Sequence, residues 1–345
     1  MMSDSNQTPT VNSMTLFATA PDSASAPDSI TTSKGSIWVE YGNTASSSGG
    51  GGNSTIVQYN TDGSIENTFT IAGEVDGLKI DPKTGVIWAL QNQDGNSTLS
   101  FIYPPTGQVS PTPLQYGPPY VYGANSTRGF DDVAFIGKNV YESETNPVNP
   151  GDPVIVKIDN GTAPFGTITT TPILRLGDTG TNLVTGATDQ PLPVTDPDSL
   201  KTLPDGSLIL TGEQDDALTI VQHPGTPQQS ASFIQWPSGQ SPDDAIVPTS
   251  TSGTFYVAST GDNNVYKVQV SGLNPNDIYA SDQQANEVVQ VDPRTGQLTP
   301  LITGLNKPHG LLFVPSNGGG SGTYPSAALG SGSTLAPAWA NAVST

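Results

Sequence analysis

The sequence contains no cysteine, which excludes disulfide scaffolds, thiolate zinc sites and cysteine nucleophiles. Cationic side chains are also scarce, since 11 Lys and Arg stand against 31 Asp and Glu and leave a formal net charge of −20. So few cations cannot form the basic face that binds phosphates, and we therefore expect no nucleic-acid partner. No apolar run approaches the roughly 18 to 20 residues of a transmembrane helix, so we expect no membrane span.

Glycine and proline are abundant instead, at 38 and 31 of the 345 residues. This content argues against a helical bundle or a long coiled coil, because both residues interrupt helices. Hydrophobic residues make up only 34% of the chain. Many short strands joined by polar turns can still bury a core at this length, so the composition favours one large all-β domain.

Both ends of the chain differ in composition from its centre. Residues 1–13 are polar, and residues 316–345 are rich in Gly, Ser and Ala, so we expect a disordered start and a flexible tail. Residues 14–315 contain short β-rich runs bounded by turn signals, among them the Asp-Pro-Lys/Arg-Thr-Gly turns at Asp81 and Asp292. This central segment is the predicted folded domain.

A short motif, Pro-Asp-small-apolar in its fullest form, opens a predicted strand at six places. The copies begin at Pro27, Val75, Phe130, Pro197, Pro242 and Pro308. Their mean spacing is about 56 residues, close to the roughly 40 to 50 of a propeller blade with its loops. The repeat predicts a six-bladed β-propeller with four-stranded antiparallel blades around a central channel, and seven blades is the alternative.

A second strand with an aromatic or branched core follows each motif in most repeats. Its copies are residues 37–39, 87–89, 140–141, 208–210 and 255–257. Residues 277–281 look like one more second strand but have no motif before them. We interpret them as part of the sixth blade, with residues 311–314 or 14–18 supplying the strand that closes the ring.

The segment 277–315 resembles the repeats of NHL-type and virginiamycin B lyase-like propellers, and more distantly those of the regucalcin/gluconolactonase-like group. The resemblance rests on Pro308-His309-Gly310-Leu311, on an aromatic second strand and on the Val-Asp-Pro-Arg-Thr-Gly hairpin at Asp292. It implies the propeller fold over most of residues 27–315. That fold hosts lyases, lactonases, scaffolds and ligand-binding proteins alike.

The catalytic residues of these families are matched only in part. The resemblance implies two His with Glu around a magnesium ion for the streptogramin lyases, and a divalent metal held by Glu, Asn and Asp for the lactonases. This chain has two His, of which His309 lies in a matching motif and His223 does not. No string in the sequence is diagnostic of either activity.

The motif positions form the candidate metal site. If the six motifs are equivalent, their second residues converge around the channel. The motif of blade three contributes either Asp131 or Asp132. Carboxylates facing one cavity repel each other unless a cation, a proton or hydrogen bonds compensate them, and ligation by oxygen alone selects calcium or magnesium. The predicted metal ligands are Asp28, Asp76, Asp132, Asp198 and Asp243. The alternative is that each Asp only caps its own turn.

Two acidic residues that follow second strands, Glu142 and Glu213, are candidates for proton transfer together with His309. A carboxylate at such a position could act as general base on a metal-bound water, as lactone hydrolysis requires. The alternative for each glutamate is a solvated acidic loop.

These observations predict a propeller that binds a small molecule, a glycan or a partner at an acidic funnel holding a divalent cation. A metal-assisted hydrolase or lyase is the alternative function, and a protein-interaction scaffold is the third. The composition favours a secreted or periplasmic bacterial protein. Since residues 1–10 lack the hydrophobic core of a secretory signal, we expect either that a signal has been removed or that export proceeds in one step.

Overall fold

The structure is a computed structural model, and it describes residues 8–104, 108–110, 112–123, 126–161, 166–236 and 239–316. These residues form strands joined by turns, with a single short 3-10 helix at Thr260–Asp262 in the described ranges. No helix in these ranges has the length and apolar character required to cross a membrane. The predicted all-β fold class is confirmed.

The described part of the chain contains twenty-seven strands. In chain order they are β1 (Thr10–Thr19), β2 (Pro27–Ser33), β3 (Ser36–Tyr41), β4 (Asn53–Tyr59), β5 (Ile65–Ala72), β6 (Val75–Ile80), β7 (Ile87–Gln91), β8 (Thr98–Tyr103), β9 (Gln108–Val109), β10 (Leu114–Gln115), β11 (Phe130–Ile136), β12 (Asn139–Glu144), β13 (Pro153–Ile158), β14 (Thr170–Arg175), β15 (Thr179–Asn182), β16 (Gln190–Pro191), β17 (Pro197–Thr202), β18 (Leu208–Gly212), β19 (Ala217–Gln222), β20 (Ser230–Gln235), β21 (Pro242–Ile246), β22 (Ser252–Ser259), β23 (Asn264–Ser271), β24 (Ile278–Asp282), β25 (Glu287–Val291), β26 (Leu298–Ile302) and β27 (Pro308–Pro315).

The strands form six sheets, and each sheet is one blade of a propeller ring. From the innermost strand outwards, blades one to six have the orders β2-β3-β4-β5, β6-β7-β8-β10, β11-β12-β13-β14, β17-β18-β19-β20-β15-β16, β21-β24-β25-β26 and β27-β22-β23-β1. Blade two carries the short β9 as an addition to β8. Pairing is antiparallel throughout except between β15 and β20. The six predicted motifs open the six innermost strands, so six blades rather than seven is correct.

In the chain, the hairpin β22–β23 of blade six lies between the first and second strands of blade five, which corrects the predicted strand assignment. The strand that opens at Pro242 pairs with β24, where Asp282 lies opposite Pro242. The intervening hairpin β22–β23 belongs to blade six and pairs with β27, where Ser259 lies opposite Pro308. Residues 255–257 are therefore the second strand of blade six, and residues 278–282 are the second strand of blade five.

The two ends of the described chain meet in blade six. Strand β27 is its innermost strand and β1 its outermost, so both segments predicted to close the ring take part. Strand β1 begins at Thr10, before the predicted domain boundary at residue 14, because its backbone pairs with β23 as far as Ser271. The predicted tail lies outside the described residues apart from Ser316.

The core is divided among the interfaces between neighbouring blades. Six hydrophobic clusters are found, one at each interface around the ring. Between blades one and two, for example, Trp38 stacks on Phe69 at 5.6 Å and packs in the same cluster as Leu78. Each blade is covered on its two faces by its two neighbours, so a chain with 34% hydrophobic residues buries an apolar cluster at every blade interface without helices.

Candidate metal centre in the channel

The repeated motif encodes a β-bulge at the start of every innermost strand. In blade one, Pro27 pairs with Tyr41 and Ile30 with Val39, so the two residues between them have no regular partner. The same shift in register occurs in the other five blades. A bulge breaks the strict alternation of side chains along a strand. It therefore allows the second motif residue of each blade to face the channel.

The second motif residues form a ring of six ligand-bearing side chains, which divides into two groups. Asp76, Asp131 and Asp198 come from blades two to four, and their carboxylate oxygens lie within 4.8 Å of one another. Ligand atoms of Asp28, Asp243 and His309, from blades one, five and six, form a second group at the same spacing. The ring lines a cavity of about 280 Å³. We refer to the groups as the aspartate half-ring and the histidine half-ring.

The third motif residues serve a different purpose, and this corrects the position predicted for Asp132. Its carboxylate accepts hydrogen bonds from Lys79 of blade two and from the backbone N–H of Leu200 of blade four. Asp244 likewise pairs with Lys201 and accepts the N–H of Leu311 from blade six. These aspartates link blades, and neither lines the cavity. The ring position of blade three is occupied by Asp131.

A capping contact of the kind offered as the alternative for the ring is made by Asp132, whose Oδ1 accepts the N–H of Val133 in its own motif. Among the described hydrogen bonds, backbone amides donate to Asp132 and Asp244, and none donates to the five ring aspartates. In addition, Oδ2 of Asp198 is shielded from solvent and has no hydrogen-bond partner in the described residues. An unpartnered carboxylate oxygen at the channel is costly unless a proton or a cation compensates it.

Burial and mutual repulsion raise the pKa of each carboxyl in the aspartate half-ring. The pKa of Asp76 rises well above 3.8 because of burial first and the charge of Asp131 second. The pKa of Asp198 also rises well above 3.8, because of burial first and the charge of Asp243 second. Burial and Asp132 raise the pKa of Asp131, and a hydrogen bond with Asp76 partly offsets the rise. A divalent cation would relieve this repulsion, and three carboxylates fit calcium or magnesium.

The histidine half-ring consists of close contacts between His309 and two carboxylates. Nδ1 of His309 lies 2.9 Å from Oδ1 of Asp243 and 3.4 Å from Oδ2 of Asp28. Burial by itself would lower the pKa of His309, but the charges of Asp243 and Asp28 raise it well above 6.5. The two carboxylates therefore favour the protonated form of the imidazole.

Polar side chains from the ends of the second strands surround the mouth of the cavity. Glu213 is the acidic member that the sequence predicted, and its Oε1 accepts hydrogen bonds from Ser241 and Gln283. Burial first, and then Asp196, raise the pKa of Glu213. The other polar side chains of the rim include Gln93, Asn146, Gln214 and Gln283. No aromatic side chain is among the described residues that line the cavity.

Glu142 lies outside the cavity, so its predicted position at the site is wrong. Its side chain is fully buried between blades two and three, where the hydroxyl of Tyr116 donates to Oε1 at 2.8 Å. Successive side chains of a strand point to opposite faces. Ser143, the next residue along β12, is the one whose hydroxyl accepts the N–H of Asp132 behind the ring.

Glu40 is a fully buried acid on the second strand of blade one. Burial first, and then the charge of Asp28, raise its pKa well above 4.5, while His309 lowers it. It lies at the β3 position that corresponds to Ser143 of blade three. A glutamate at this position sets blade one apart, because the second strands of the other five blades carry Leu90, Ser143, Thr211, Ser281 and Ala258 there.

Comparison with known proteins shows similarity at the level of the fold. No protein-family model matches the chain, and no curated protein matches it. A streptogramin B lyase structure is 16% identical over 88% of this chain and 94% of that chain, with a TM-score of 0.50. Virginiamycin B lyase from Staphylococcus aureus is 13% identical over 88% and 95%, with a TM-score of 0.49. The periplasmic gluconolactonase of Pseudomonas aeruginosa is 12% identical over 86% and 87%, with a TM-score of 0.47. The resemblance is confirmed for the propeller fold, on the streptogramin B lyase structure.

Proposed function

We propose that this protein binds a divalent cation, calcium or magnesium, at the aspartate half-ring and uses it to hold a small molecule or glycan in the cavity. The observation that carries the proposal is the group formed by Asp76, Asp131 and Asp198. Three carboxylates meet there without a cationic side chain among the described ion pairs. The unpartnered, solvent-shielded Oδ2 of Asp198 supports the binding of a cation.

The surroundings of the half-ring support an oxygen-rich ligand. The rim supplies amide donors and acceptors from Gln93, Asn146 and Gln283 next to the acidic side chains. A cation bound by three carboxylates keeps further coordination positions, since calcium takes about six to eight oxygen ligands. Ligand hydroxyl or carboxyl oxygens can occupy those positions, and the amides can bind the remaining polar groups.

The proposal is tested by thermal unfolding of chelator-treated protein titrated with calcium, magnesium, manganese and zinc. A cation that binds only the native state raises the midpoint with its concentration. We expect calcium or magnesium to do so, and Asp198→Asn to abolish the shift. Asp189→Asn is the matched control, because Asp189 is exposed and lies outside the cavity. Midpoints that no cation moves, or a shift that survives Asp198→Asn, would contradict the proposal.

A metal-assisted hydrolase or lyase is the second candidate, and the location of Glu213 and His309 on the same cavity favours it. A cation bound there would polarise a carbonyl oxygen as a Lewis acid. In hydrolysis of a lactone or ester, Glu213 would accept the proton of the attacking water. His309, which lies between two carboxylates, would donate a proton to the leaving oxygen.

The catalytic candidate is tested by screening lactones and esters with the calcium- or magnesium-loaded protein. We expect any activity to fall by at least about 100-fold in Glu213→Gln, because general acid–base catalysis contributes about 10²- to 10⁴-fold. The midpoint shift caused by the cation should remain in this variant. Activity that is unchanged in both Glu213→Gln and His309→Asn would rule out these roles.

The proposal includes a location outside the cytoplasm, as a secreted or periplasmic bacterial protein. A chain without Cys has no thiol to protect in an oxidising compartment. Extracellular calcium sites work at dissociation constants of about 10⁻⁴ to 10⁻³ M, so even a weak site would be filled there. Fractionation of the source cells tests this, and recovery of the protein only in the cytoplasm would contradict it.

A further inference from the structure

A second repeated position occurs at the ends of the second strands. It lies two residues after the strand residue that pairs with the first residue of the motif, as Gln93 follows Gln91, the partner of Val75. From blade one to blade six its occupants are Asn43, Gln93, Asn146, Gln214, Gln284 and Gly261. Five of the six are side-chain amides, so the repeat supplies a hydrogen-bonding group at this position in every blade except blade six.

Three of these six residues line the cavity, and they come from the same blades as the aspartate half-ring. Gln93, Asn146 and Gln214 belong to blades two, three and four, and the occupants from blades five, six and one are not among the described lining residues. The carboxylates of the aspartate half-ring also come from blades two to four. A ligand bound to a cation there therefore has these amides on its own side of the channel. We refer to the three residues as the amide arc.

The corresponding residue of blade one, Asn43, is used up inside its own blade. Its Oδ1 accepts the N–H of Ser25 at 2.8 Å, and its Nδ2 donates to Oγ1 of Thr55 at 2.7 Å and to the carbonyl oxygen of Asn53 at 3.0 Å. The side chain of Gln93, in contrast, makes no hydrogen bond to another described residue. The same repeat position is therefore structural in blade one and has an unused donor and acceptor in blade two.

The backbone at Gln93 is held in place from both neighbouring blades. The next residue, Asp94, donates its N–H to the carbonyl oxygen of Ser47 in blade one at 2.8 Å and accepts a hydrogen bond from Nδ2 of Asn146 in blade three at 3.0 Å. On the side of blade three, a Cβ on Gly129 would lie 2.3 Å from the carbonyl oxygen of Gln93, so only glycine allows this approach. A fixed backbone with a free side-chain amide is the arrangement that a preorganised ligand contact requires.

The lining of the cavity restricts the charge of the ligand. His309 is the single basic side chain among the described lining residues, whereas eight of them carry carboxyl groups. These groups would repel a carboxylate or phosphate on the ligand even with one divalent cation in place. Amides both donate to and accept from hydroxyl groups. An uncharged ligand rich in hydroxyl groups fits both properties of the lining.

We infer that the amide arc is the ligand-recognition subsite of the cavity, with Gln93 as a specificity-determining residue, and that it takes an uncharged polyhydroxylated compound. One oxygen of this compound binds the cation, and neighbouring hydroxyl groups bind the amides. The half-ring thus selects the cation, and the arc selects the ligand. The inference rests on the proposed function, because it assumes that a cation at the aspartate half-ring holds the ligand.

The class of ligand is tested by ligand-observed NMR on the calcium-loaded protein, with D-sorbitol, myo-inositol and D-glucose as uncharged probes. We expect at least one of them to bind. D-glucuronate, in which a carboxylate replaces the hydroxymethyl group of D-glucose, should bind at least about 10-fold more weakly than that probe. Equal or tighter binding of D-glucuronate would overturn the inference.

The role of Gln93 is tested with Gln93→Leu, which keeps a side chain of similar size without its donor and acceptor. The affinity for the bound probe should fall about 10-fold, as expected for the loss of the two hydrogen bonds that an amide can make. The shift of the unfolding midpoint by calcium should remain. Gln228→Leu is the matched control, because Gln228 is exposed and lies outside the cavity.

Asn43→Gly separates a structural amide from a ligand-binding one. Glycine keeps the left-handed backbone of Asn43, whose φ is 53°, and removes its three hydrogen bonds. This variant should lower the stability and leave the probe affinity unchanged, which is the reverse of the effect of Gln93→Leu. A loss of probe affinity in Asn43→Gly equal to that in Gln93→Leu would overturn the inference.

The remaining outcomes distinguish the inference from the proposed function. If Gln93→Leu fails to fold, Gln214→Leu tests the same subsite, since Gln214 is exposed at the rim. A folded variant that binds the probe as tightly as the wild-type protein would overturn the inference. If calcium raises the unfolding midpoint but no uncharged probe binds, the inference fails and cation binding stands. If calcium and magnesium leave the midpoint unchanged and no probe binds, the proposed function fails as well.

Discussion

Lys79 and Asp132 form a bidentate ion pair between blades two and three, with Nζ at 2.8 and 2.7 Å from the two carboxylate oxygens. The pair is largely shielded from water, since the side chains are 16% and 2% exposed. Asp132 also accepts the N–H of Leu200, so a single carboxylate connects three consecutive blades. Lys201 and Asp244 repeat the arrangement toward blade six. The acidic ring therefore lies in front of a layer that is close to electroneutral.

Removal of Lys79 should destabilise the propeller strongly. Lys79→Met leaves the buried Asp132 without its ion-pair partner, and breaking such a pair costs about 3 to 5 kcal/mol. Chemical unfolding measures the loss. Arg294→Met is the control, because the side chain of Arg294 in its ion pair with Asp292 is 85% exposed and such a pair contributes about 0.5 kcal/mol or less. Equal effects of the two substitutions would contradict the role given to the layer.

Glu142 should make the protein less stable as the pH rises. Burial raises its pKa from 4.5 to about 8, and the hydrogen bond from Tyr116 offsets only part of the rise. Between these two values the native state holds a proton that the unfolded chain has lost, so the free energy of unfolding falls with increasing pH. Glu142→Gln removes this dependence. Its stability relative to wild type should increase from pH 6 to pH 8 by at most about 1.4 kcal/mol per pH unit.

Urea unfolding at both pH values measures the effect of Glu142→Gln. Glu66→Gln is the matched control, since Glu66 is exposed on β5, and its difference from wild type should not change with pH. A Glu142→Gln protein whose difference from wild type is also constant between pH 6 and pH 8 would show that Glu142 is not protonated in the native state.

The side chain of Phe17 should stabilise the packing of β1 in the ring. It is 8% exposed and packs edge-on against Tyr256 at 4.9 Å and Tyr59 at 5.8 Å, which joins blades six and one. Phe17→Ala removes this contact and should cost about 3 to 5 kcal/mol. Leu16→Ala, one residue earlier and 56% exposed, should change the unfolding free energy by about 0.5 kcal/mol or less. Similar losses of unfolding free energy at both positions would mean that β1 contributes to stability through backbone pairing alone.

The number of blades was predictable because the motif has a local cause. Each copy combines a bulge with the first buried apolar residue, such as Ile30 or Leu200, and such a pattern is visible in sequence. The order in which the strands of blades five and six follow one another in the chain was not predictable in this way. Pro242 pairs with Asp282, which follows the whole β22–β23 hairpin in the chain. Tertiary packing rather than local sequence determines this pairing.

The ring was predictable to within one residue. Asp28, Asp76, Asp198, Asp243 and His309 line the cavity as expected from the motif. In blade three the adjacent Asp131 and Asp132 could not be told apart by residue type, although alignment on the apolar residue before the acid points to Asp131. The predicted position of Glu142 was wrong because the end of a strand determines which side chains are nearby, but not which face of the sheet a given side chain occupies.

Cation binding should strengthen as the pH rises. Burial and neighbouring charges raise the pKa values of Asp76, Asp131 and Asp198 well above 3.8. These carboxyls therefore hold protons at pH values where an exposed aspartate is ionised, and a cation must displace them. Lower pH favours the protonated carboxyls, so the calcium affinity should fall as the pH decreases toward 5.

Calorimetry in buffers of different ionisation enthalpy detects the displaced protons directly. Binding near neutral pH should release protons, and the release should shrink as the pH rises and the carboxyls ionise in the free protein. The wild-type protein and Asp189→Asn should behave alike, because Asp189 lies outside the cavity. A calcium affinity that does not change with pH, without proton release, would mean that the ion binds to carboxylates that are already ionised. The exposed acidic surface would then be the place to look for it, because the channel carboxyls would not be its ligands.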